Sequence, residues 1–272
     1  MNSPLLCPIC RKALSRAGAS LVCPDRHRFD LASEGYVNLA VGKSGSGDSP
    51  VMCRARRDFL SAGYYRSAAE ALADLLSPLP RGARVLDAGC GEGYYLRALR
   101  QKCPDLALIG LDLAKTSIRL AARAERGRPD PIEYAVSGIF SLPLPDRSCD
   151  AVLSVFAPIP DAEAARVLKP GGLLLAVHPG KVHLNGLKAR LYDVPYSNEE
   201  KSPPLRGFSL ASVTRRRYTV RIASKDLPAL FAMTPYYWRT TREDAARLTG
   251  EALDTDLDFL FSTYRLTSCD PV

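Results

Sequence analysis

Val85-Leu86-Asp87-Ala88-Gly89-Cys90-Gly91-Glu92-Gly93-Tyr94-Tyr95 is the stretch from which the fold is read. Arg84-Val85-Leu86 has the character of a short buried strand. Gly89, Gly91 and Gly93 allow a tight turn, and Tyr94 to Leu99 opens with the spacing of an amphipathic helix. A strand, a glycine turn and a helix in that order let a nucleoside cofactor lie against backbone. A dinucleotide fingerprint would place its third glycine three residues after the second, so that a pyrophosphate can sit on the helix N-terminus. Tyr94 occupies that position, which argues against a dinucleotide.

The glycine spacing instead resembles motif I of the class I S-adenosylmethionine methyltransferases. The resemblance implies that the Asp87 carboxylate lies near the amino-acid end of the cofactor and that the backbone of the Gly89, Gly91 and Gly93 loop packs against it. Leu106 to Asp112 reads as a second buried strand ending in an acid 25 residues after Asp87, where a carboxylate accepts hydrogen bonds from both ribose hydroxyls. Helical spacing over Lys115 to Glu125 and a third strand at Ile132 to Val136 follow, an alternation that implies a parallel sheet with helices on both faces. Leu142 to Ser154 resembles the run into strand four of this class, and Arg166 to Val177 its helix, turn and strand five. The class often has an acid for the adenine amine where this chain has Ser137, so adenine recognition falls to Ser137, backbone groups or stacking.

The N-terminal segment carries a second signal. Cys7-Pro8-Ile9-Cys10 is followed after twelve residues by Cys23 and after three more by His27. Two short-spaced pairs of thiolate and imidazole ligands can close tetrahedrally around one zinc, leaving no open position for a catalytic water. About 40 residues with few large apolar side chains need such a metal to fold. Arg11, Lys12, Arg16, Arg26 and Arg28 surround the ligands and suit phosphate contacts. Phe29 to Leu31 and Gly35 to Leu39 look like short strands that finish the module. The expected organisation is a zinc-binding domain over 1–41, a flexible linker over 42–50 and a methyltransferase domain over 51–272, hence an α/β, Rossmann-like fold with a small zinc-binding domain.

Composition is consistent with this division. With 272 residues and 46% hydrophobic content the chain can bury a large core, and no run approaches the roughly 20 apolar residues of a membrane span. Met1-Asn2-Ser3-Pro4 has no signal-peptide pattern, so a cytoplasmic location is expected. Eight cysteines in a chain of this size point to metal binding before disulfides, and a formal charge of +8 favours a polyanionic partner.

Cys53 to Leu60 and Ala68 to Leu76 have helical spacing, with Tyr64 and Tyr65 between them. His178 to Phe208 looks like an insertion, Thr214 to Ile222 and Leu257 to Arg265 like the last two strands, and Met233 to Arg239 like an aromatic wall against a planar base. Taken in order, the zinc ligands, Arg56-Arg57-x-Phe59-Leu60-x-Ala62-Gly63-x-Tyr65, Gly89 to Tyr95, Phe156-Ala157-Pro158, His183-Leu184-x-x-Leu187-Lys188 and Met233-Thr234-Pro235-x-x-Trp238 resemble the bacterial 23S ribosomal RNA guanine-N1 methyltransferases along nearly the whole chain. The resemblance implies zinc on Cys7, Cys10, Cys23 and His27, cofactor contacts at Tyr65, Gly91, Glu92 and His183, and a hairpin-loop guanine as substrate. It also implies a homodimer whose zinc modules flank an RNA cleft. Glu92 to Tyr95 and His183 to Lys188 resemble the housekeeping branch, of guanine-745 type, more than the macrolide-resistance branch, of guanine-748 type. The fold by itself also admits a small-molecule, quinone-like methyltransferase or a non-catalytic assembly factor for ribosomal RNA. Arg215-Arg216-Arg217 and the basic metal module speak for RNA.

Overall fold

The computed structural model describes residues 2–42, 47–200, 202–248 and 250–267. Four short strands, β1 (Asn2–Leu6), β2 (Ala13–Ala17), β3 (Ser20–Val22) and β4 (Arg28–Asp30), form an antiparallel sheet in sequence order. The fifth, β5 (Val37–Asn38), leaves that sheet. It pairs in parallel with β8 (Glu133–Val136), and the Leu39 amide donates to the Val136 carbonyl at 2.9 Å. The expectation that this segment completes the small module is therefore corrected. Val37 and Leu39 are each 2% exposed, and the large sheet offers them an apolar edge that three-residue strands cannot.

The large sheet continues with β6 (Arg84–Ala88), β7 (Ala107–Asp112), β9 (Cys149–Val155), β10 (Leu168–Pro179), β11 (Phe208–Ile222) and β12 (Leu253–Leu266). Its order is β11-β12-β10-β9-β6-β7-β8-β5, and only β12 runs against the rest. Successive strand residues face opposite layers: Val85, Leu108 and Leu153 pack into one apolar cluster, Leu86, Ile109 and Val152 into the other. The second cluster also takes in Leu5, Leu14 and Leu21, so the zinc module shares its core with the sheet.

The helices cover both faces: α1 (Pro50–Ser61), α2 (Arg66–Leu76), α3 (Tyr94–Lys102), α4 (Lys115–Ala124), α5 (Asp161–Val167), α6 (Asn185–Leu191), α7 (Leu227–Ala232) and α8 (Arg242–Ala246). Ser49 starts α1 by accepting the Met52 amide on its hydroxyl, with Pro50 in the first turn. The expected flexible linker lies partly outside the described residues, at 43–46. From β6 the chain crosses to β7 on one side and later returns to β9 on the other, a reversal that opens a crevice at the carboxyl ends of these strands.

Tyr134 fixes how closely the sheet and the glycine loop approach. A methyl group at Gly110 would lie 2.6 Å from its ring and 2.9 Å from the Cys90 sulfur. Gly110→Ala is therefore expected to cost about 1–3 kcal/mol, read as a lower urea midpoint at unchanged slope. An unchanged midpoint would show that the ring gives way freely.

Candidate functional site

The crevice begins where β6 ends. Gly89, Gly91 and Gly93 all have positive φ, at +89°, +55° and +78°. The amides of Gly89 and Cys90 both donate to the Leu111 carbonyl, at 2.8 and 3.0 Å, which holds the loop against β7. A side chain at Gly89 would meet the Ala157 methyl at 2.8 Å, so the turn after β9 closes the other side. A methyl at Gly93 would strike the Tyr134 hydroxyl, so its bareness also serves packing behind the loop.

Two carboxylates lie at the floor of the crevice. Asp112 accepts the Gly91 amide at 2.9 Å and the Ala114 amide at 2.7 Å, tying the loop to the start of α4; burial raises its pKa and these two bonds oppose the rise. Asp87 is 1% exposed and neither of its oxygens has a partner. Burial, and then the charge of Asp112, push its acid up to about 8. An ionised carboxylate left this way is costly, and a bound ammonium group would relieve the cost. Ser137 is buried at the end of β8, its amide on the Asp112 carbonyl at 3.0 Å and its hydroxyl on the Gly138 carbonyl at 3.3 Å. Asp87, Gly89, Gly91, Asp112 and Ser137 are thus brought together in one cradle.

Glu92 is turned inward and ion-paired to Arg97 at 2.5 Å, while its other oxygen is buried without a partner. Burial raises its acid even against Arg97. Tyr65 and His183 meet across the mouth, hydroxyl to Nε2 at 3.0 Å, with Phe156 and Phe259 around them at ring separations of 4.9–6.4 Å. The Asp258 amide lies 3.1 Å from His183 Nδ1, and an amide can only donate. Nδ1 is therefore the acceptor, Nε2 carries the proton and donates it to Tyr65, and the Tyr65 proton is left for an acceptor outside the pair. Burial pushes the His183 pKa down to about 4, so the ring stays neutral at physiological pH. Phe156 has φ +52° and is 44% exposed, a strained backbone position that holds an exposed ring at the rim of the cradle.

The loop that presents His183 is held by Asp258 and Asn198, which carried no signal in the sequence, together with Arg215 and Lys188, which did. Asp258 accepts the Val182 amide at 3.2 Å and both Nε and Nη2 of Arg215, at 2.7 and 2.5 Å. Burial alone would raise this acid, but those bonds outweigh it and hold it below the usual carboxylate range. Asn198 donates to the carbonyls of Gly180 and His183 and accepts from the buried Lys188 ammonium at 2.7 Å. Lys188 was visible in the motif after His183; its partner Asn198 had no local signal. Arg216 and Arg217 are also engaged, on the Ser67 hydroxyl and the Asp256 carboxylate. Asp161 accepts the Ala162 amide at the start of α5.

At the other end, the ligand atoms of Cys7, Cys10, Cys23 and His27 all lie within 4.8 Å of one another. His27 Nδ1 is 3.5 Å from the Cys7 sulfur and 3.3 Å from that of Cys23, edges that fit a tetrahedron around zinc. Two turns of like design present them: Arg11 donates back to the Cys7 carbonyl and Arg26 to the Cys23 carbonyl, each at 2.9 Å with its own φ positive. Of the surrounding cations, Arg11 reaches the Leu142 carbonyl at 2.9 Å and Lys12 pairs with Asp25. No helix among the described residues is long and apolar enough to cross a membrane.

Family models agree with both ends. Residues 85–172 match a methyltransferase domain and residues 5–41 the zinc ribbon described as "RlmA, N-terminal". The protein is an S-adenosylmethionine-dependent methyltransferase with a structural zinc ribbon. A 23S rRNA (guanine(748)-N(1))-methyltransferase of Streptomyces fradiae is 31% identical over 259 residues, covering 91% of this chain and 90% of its own. A protein of Micromonospora griseorubida, provisionally named a 23S rRNA (guanine-N(1)-)-methyltransferase, is 35% identical over 270 residues and 90% of each chain. The chain belongs to the 23S rRNA guanine-N1 methyltransferase family. By contrast, a demethylmenaquinone methyltransferase of Deinococcus radiodurans, 34% identical, aligns with 48% of this chain and 56% of its own.

Two outcomes are expected from these sites. A group whose pKa is raised in the fold contributes stability that is complete below its unfolded value and lost as pH rises to the folded one, here from about 4 to about 8 for Asp87. Cofactor-free Asp87→Asn should thus melt higher than wild type at pH 7–8 and no higher near pH 3. It should bind S-adenosylmethionine roughly 10–100-fold more weakly, from loss of a charged hydrogen bond. Equal melting at pH 8 would mean that Asp87 is solvated. For the ribbon, one zinc per chain is expected by elemental analysis, and Cys10→Ser should lose zinc and melt earlier while still binding cofactor; full stability without metal would exclude a structural zinc.

Proposed function

We propose that the protein transfers a methyl group from S-adenosylmethionine to N1 of a guanine in a hairpin loop of 23S ribosomal RNA, at the housekeeping, guanine-745 type of position. Kinship over nine-tenths of the chain to an enzyme named for guanine N1, at position 748, supports the N1 chemistry, and the 745 type rests on the likeness of Glu92 to Tyr95 and His183 to Lys188 to the housekeeping branch. The quinone alternative is supported only over about half the chain. The cytoplasm, where ribosomes are assembled, and a pair of chains around one RNA cleft belong to the same proposal; the mass in solution checks the pairing.

The residues of the crevice suit that chemistry. In the proposal Asp87 pairs with the cofactor's ammonium, Asp112 faces the ribose, Ser137 borders the adenine, and Gly89 and Gly91 admit the chain between them. Tyr65, oriented by His183, offers its proton to the carboxylate end, and Glu92 acts through its hold on Arg97. Bound there, S-adenosylmethionine supplies a methyl made electrophilic by its sulfonium. Guanine N1 lies on the pairing edge, so the base must be turned out of any stack to reach the rim at Phe156, whose exposed ring gives it a face to lie on. Alignment of N1 with the carbon–sulfur bond provides most of the acceleration. The N1–carbon bond forms as the carbon–sulfur bond breaks, and the N1 proton leaves to solvent or a nearby acceptor.

Methylation at N1 removes a pairing donor and stops reverse transcriptase. Primer extension on 23S RNA treated with the protein should show one strong stop at a loop guanine, absent with Asp87→Asn. The position of the stop separates guanine 745 from guanine 748. A readable base carrying label would point to another atom, and label in lipid extracts alone would end the proposal.

A further inference from the structure

The positive charge that the sequence advertises on β11 is largely neutralised, which raises the question of where free charge remains. Along β11, Arg215, Arg217 and Arg221 face Asp258, Asp256 and Asp254 across the strand pair. On the other side of the molecule, α1 and α4 lie together, with the Ser117 hydroxyl on the Cys53 sulfur at 3.0 Å. Between their outer faces runs a cleft of about 290 Å³, lined by Arg54 and Arg57 from α1 and by Thr116, Arg119, Leu120 and Arg123 from α4.

Four guanidinium groups therefore share one concave surface. Arg57 leans on its neighbour Asp58 at 2.7 Å, and Arg119 reaches Glu34 of the zinc module at 2.8 Å. Arg54 and Arg123 have no acidic partner among the described residues, and both are exposed. Like charges gathered in a cleft repel one another, and an anion between them turns that cost into attraction. Lys115, Arg119 and Arg123 recur at every fourth residue, so they form a ridge along one side of α4 with a step of about 6 Å. A line of charge suits a polyanion better than a single small ion.

The cleft is also in the right place. α4 starts beside Asp112, and the Arg56 side chain of α1 lies 3.9 Å from where a methyl on Gly91 would be. The ridge thus begins near the cofactor cradle and leads away from it, and Glu34 sets the zinc module alongside. We propose that the α1–α4 cleft is a phosphodiester-binding track that grips the RNA strand flanking the target loop, an inference that rests on the RNA substrate proposed above. Guanidinium groups suit the role because their fixed donors can take two phosphate oxygens at once.

The test is Arg54→Ala/Arg123→Ala in the full-length zinc-loaded protein, with Arg54→Lys/Arg123→Lys beside it. Binding of a 23S RNA hairpin fragment is measured from 50 to 200 mM salt, and methylation is followed in parallel. Removing two phosphate contacts should weaken binding roughly 10–100-fold near 0.1 M salt and make the log–log salt slope shallower by about 1.4–1.8. S-adenosylmethionine affinity and kcat at saturating RNA should stay at the wild-type level while KM for RNA rises, and the lysine variant should keep most of the slope. If wild type methylates the RNA but the alanine variant keeps its affinity and slope, the track is wrong and the RNA reading stands. The track is also wrong if the lysine variant loses as much as the alanine one. If wild type neither binds nor methylates RNA, the reading beneath it fails as well.

Discussion

Asp87 has two buried carboxylate oxygens and no protein group to meet them, and much of the surrounding structure is explained by what keeps it so. It sits on the central strand where the chain reverses direction across the sheet, with β7 on one flank and β9 on the other. Asp112, whose charge lies near it, is occupied by two amides that fix the loop. A protein that only needed to fold would have placed an apolar residue there. The carboxylate makes sense if the cradle is finished by a cation that arrives with the ligand, so that part of the binding free energy offsets a penalty built into the empty fold.

The same logic orders the opposite wall of the crevice. His183 contributes no charge; it is neutral, and its proton is fixed on Nε2 by a backbone amide. That one-way bond sets the polarity of the chain: the Asp258 amide donates to His183, His183 donates to Tyr65, and Tyr65 keeps a proton to offer. Arg215 and Asn198 stand further back and hold the Gly180 to His183 loop to β12 and to the segment after α6. A side chain at Gly180 would strike the Asp258 carboxylate, so the close approach that aligns this relay depends on that glycine.

How much of this was legible in the sequence follows from the range of each interaction. The glycine loop, the acids at the ends of β6 and β7, and the ligand pairs Cys7/Cys10 and Cys23/His27 are local patterns, and the structure places the members of each set close together. β5 was misplaced because a two-residue strand has no pattern of its own; what decides its partner is the apolar edge of β8, nearly a hundred residues on. Asp258 acts through Arg215 and Val182, 43 and 76 residues away, Asn198 lies in a segment with no regular pattern, and the charges of Arg215 and Arg217 are met only when β12 is laid beside them. The bareness of Gly93 answers also to Tyr134, a constraint that no local window contains.

The position of β5 bears on how ribbon and catalytic sheet work together. A zinc module on a free tether would have to be ordered anew each time RNA bound, at a cost in entropy. Here Val37 and Asn38 extend the sheet, the Leu6 amide donates to Pro143 at 2.8 Å, the Ser3 hydroxyl to Glu133 at 2.6 Å, and Glu34 holds Arg119. Leu5, Leu14 and Leu21 complete an apolar layer that includes Leu86 and Leu111, the residues next to Asp87 and Asp112. Metal, ribbon and cofactor loop are therefore parts of one packed unit. A ligand that touches the ribbon at one end and the cradle at the other meets a surface whose spacing is set before it binds.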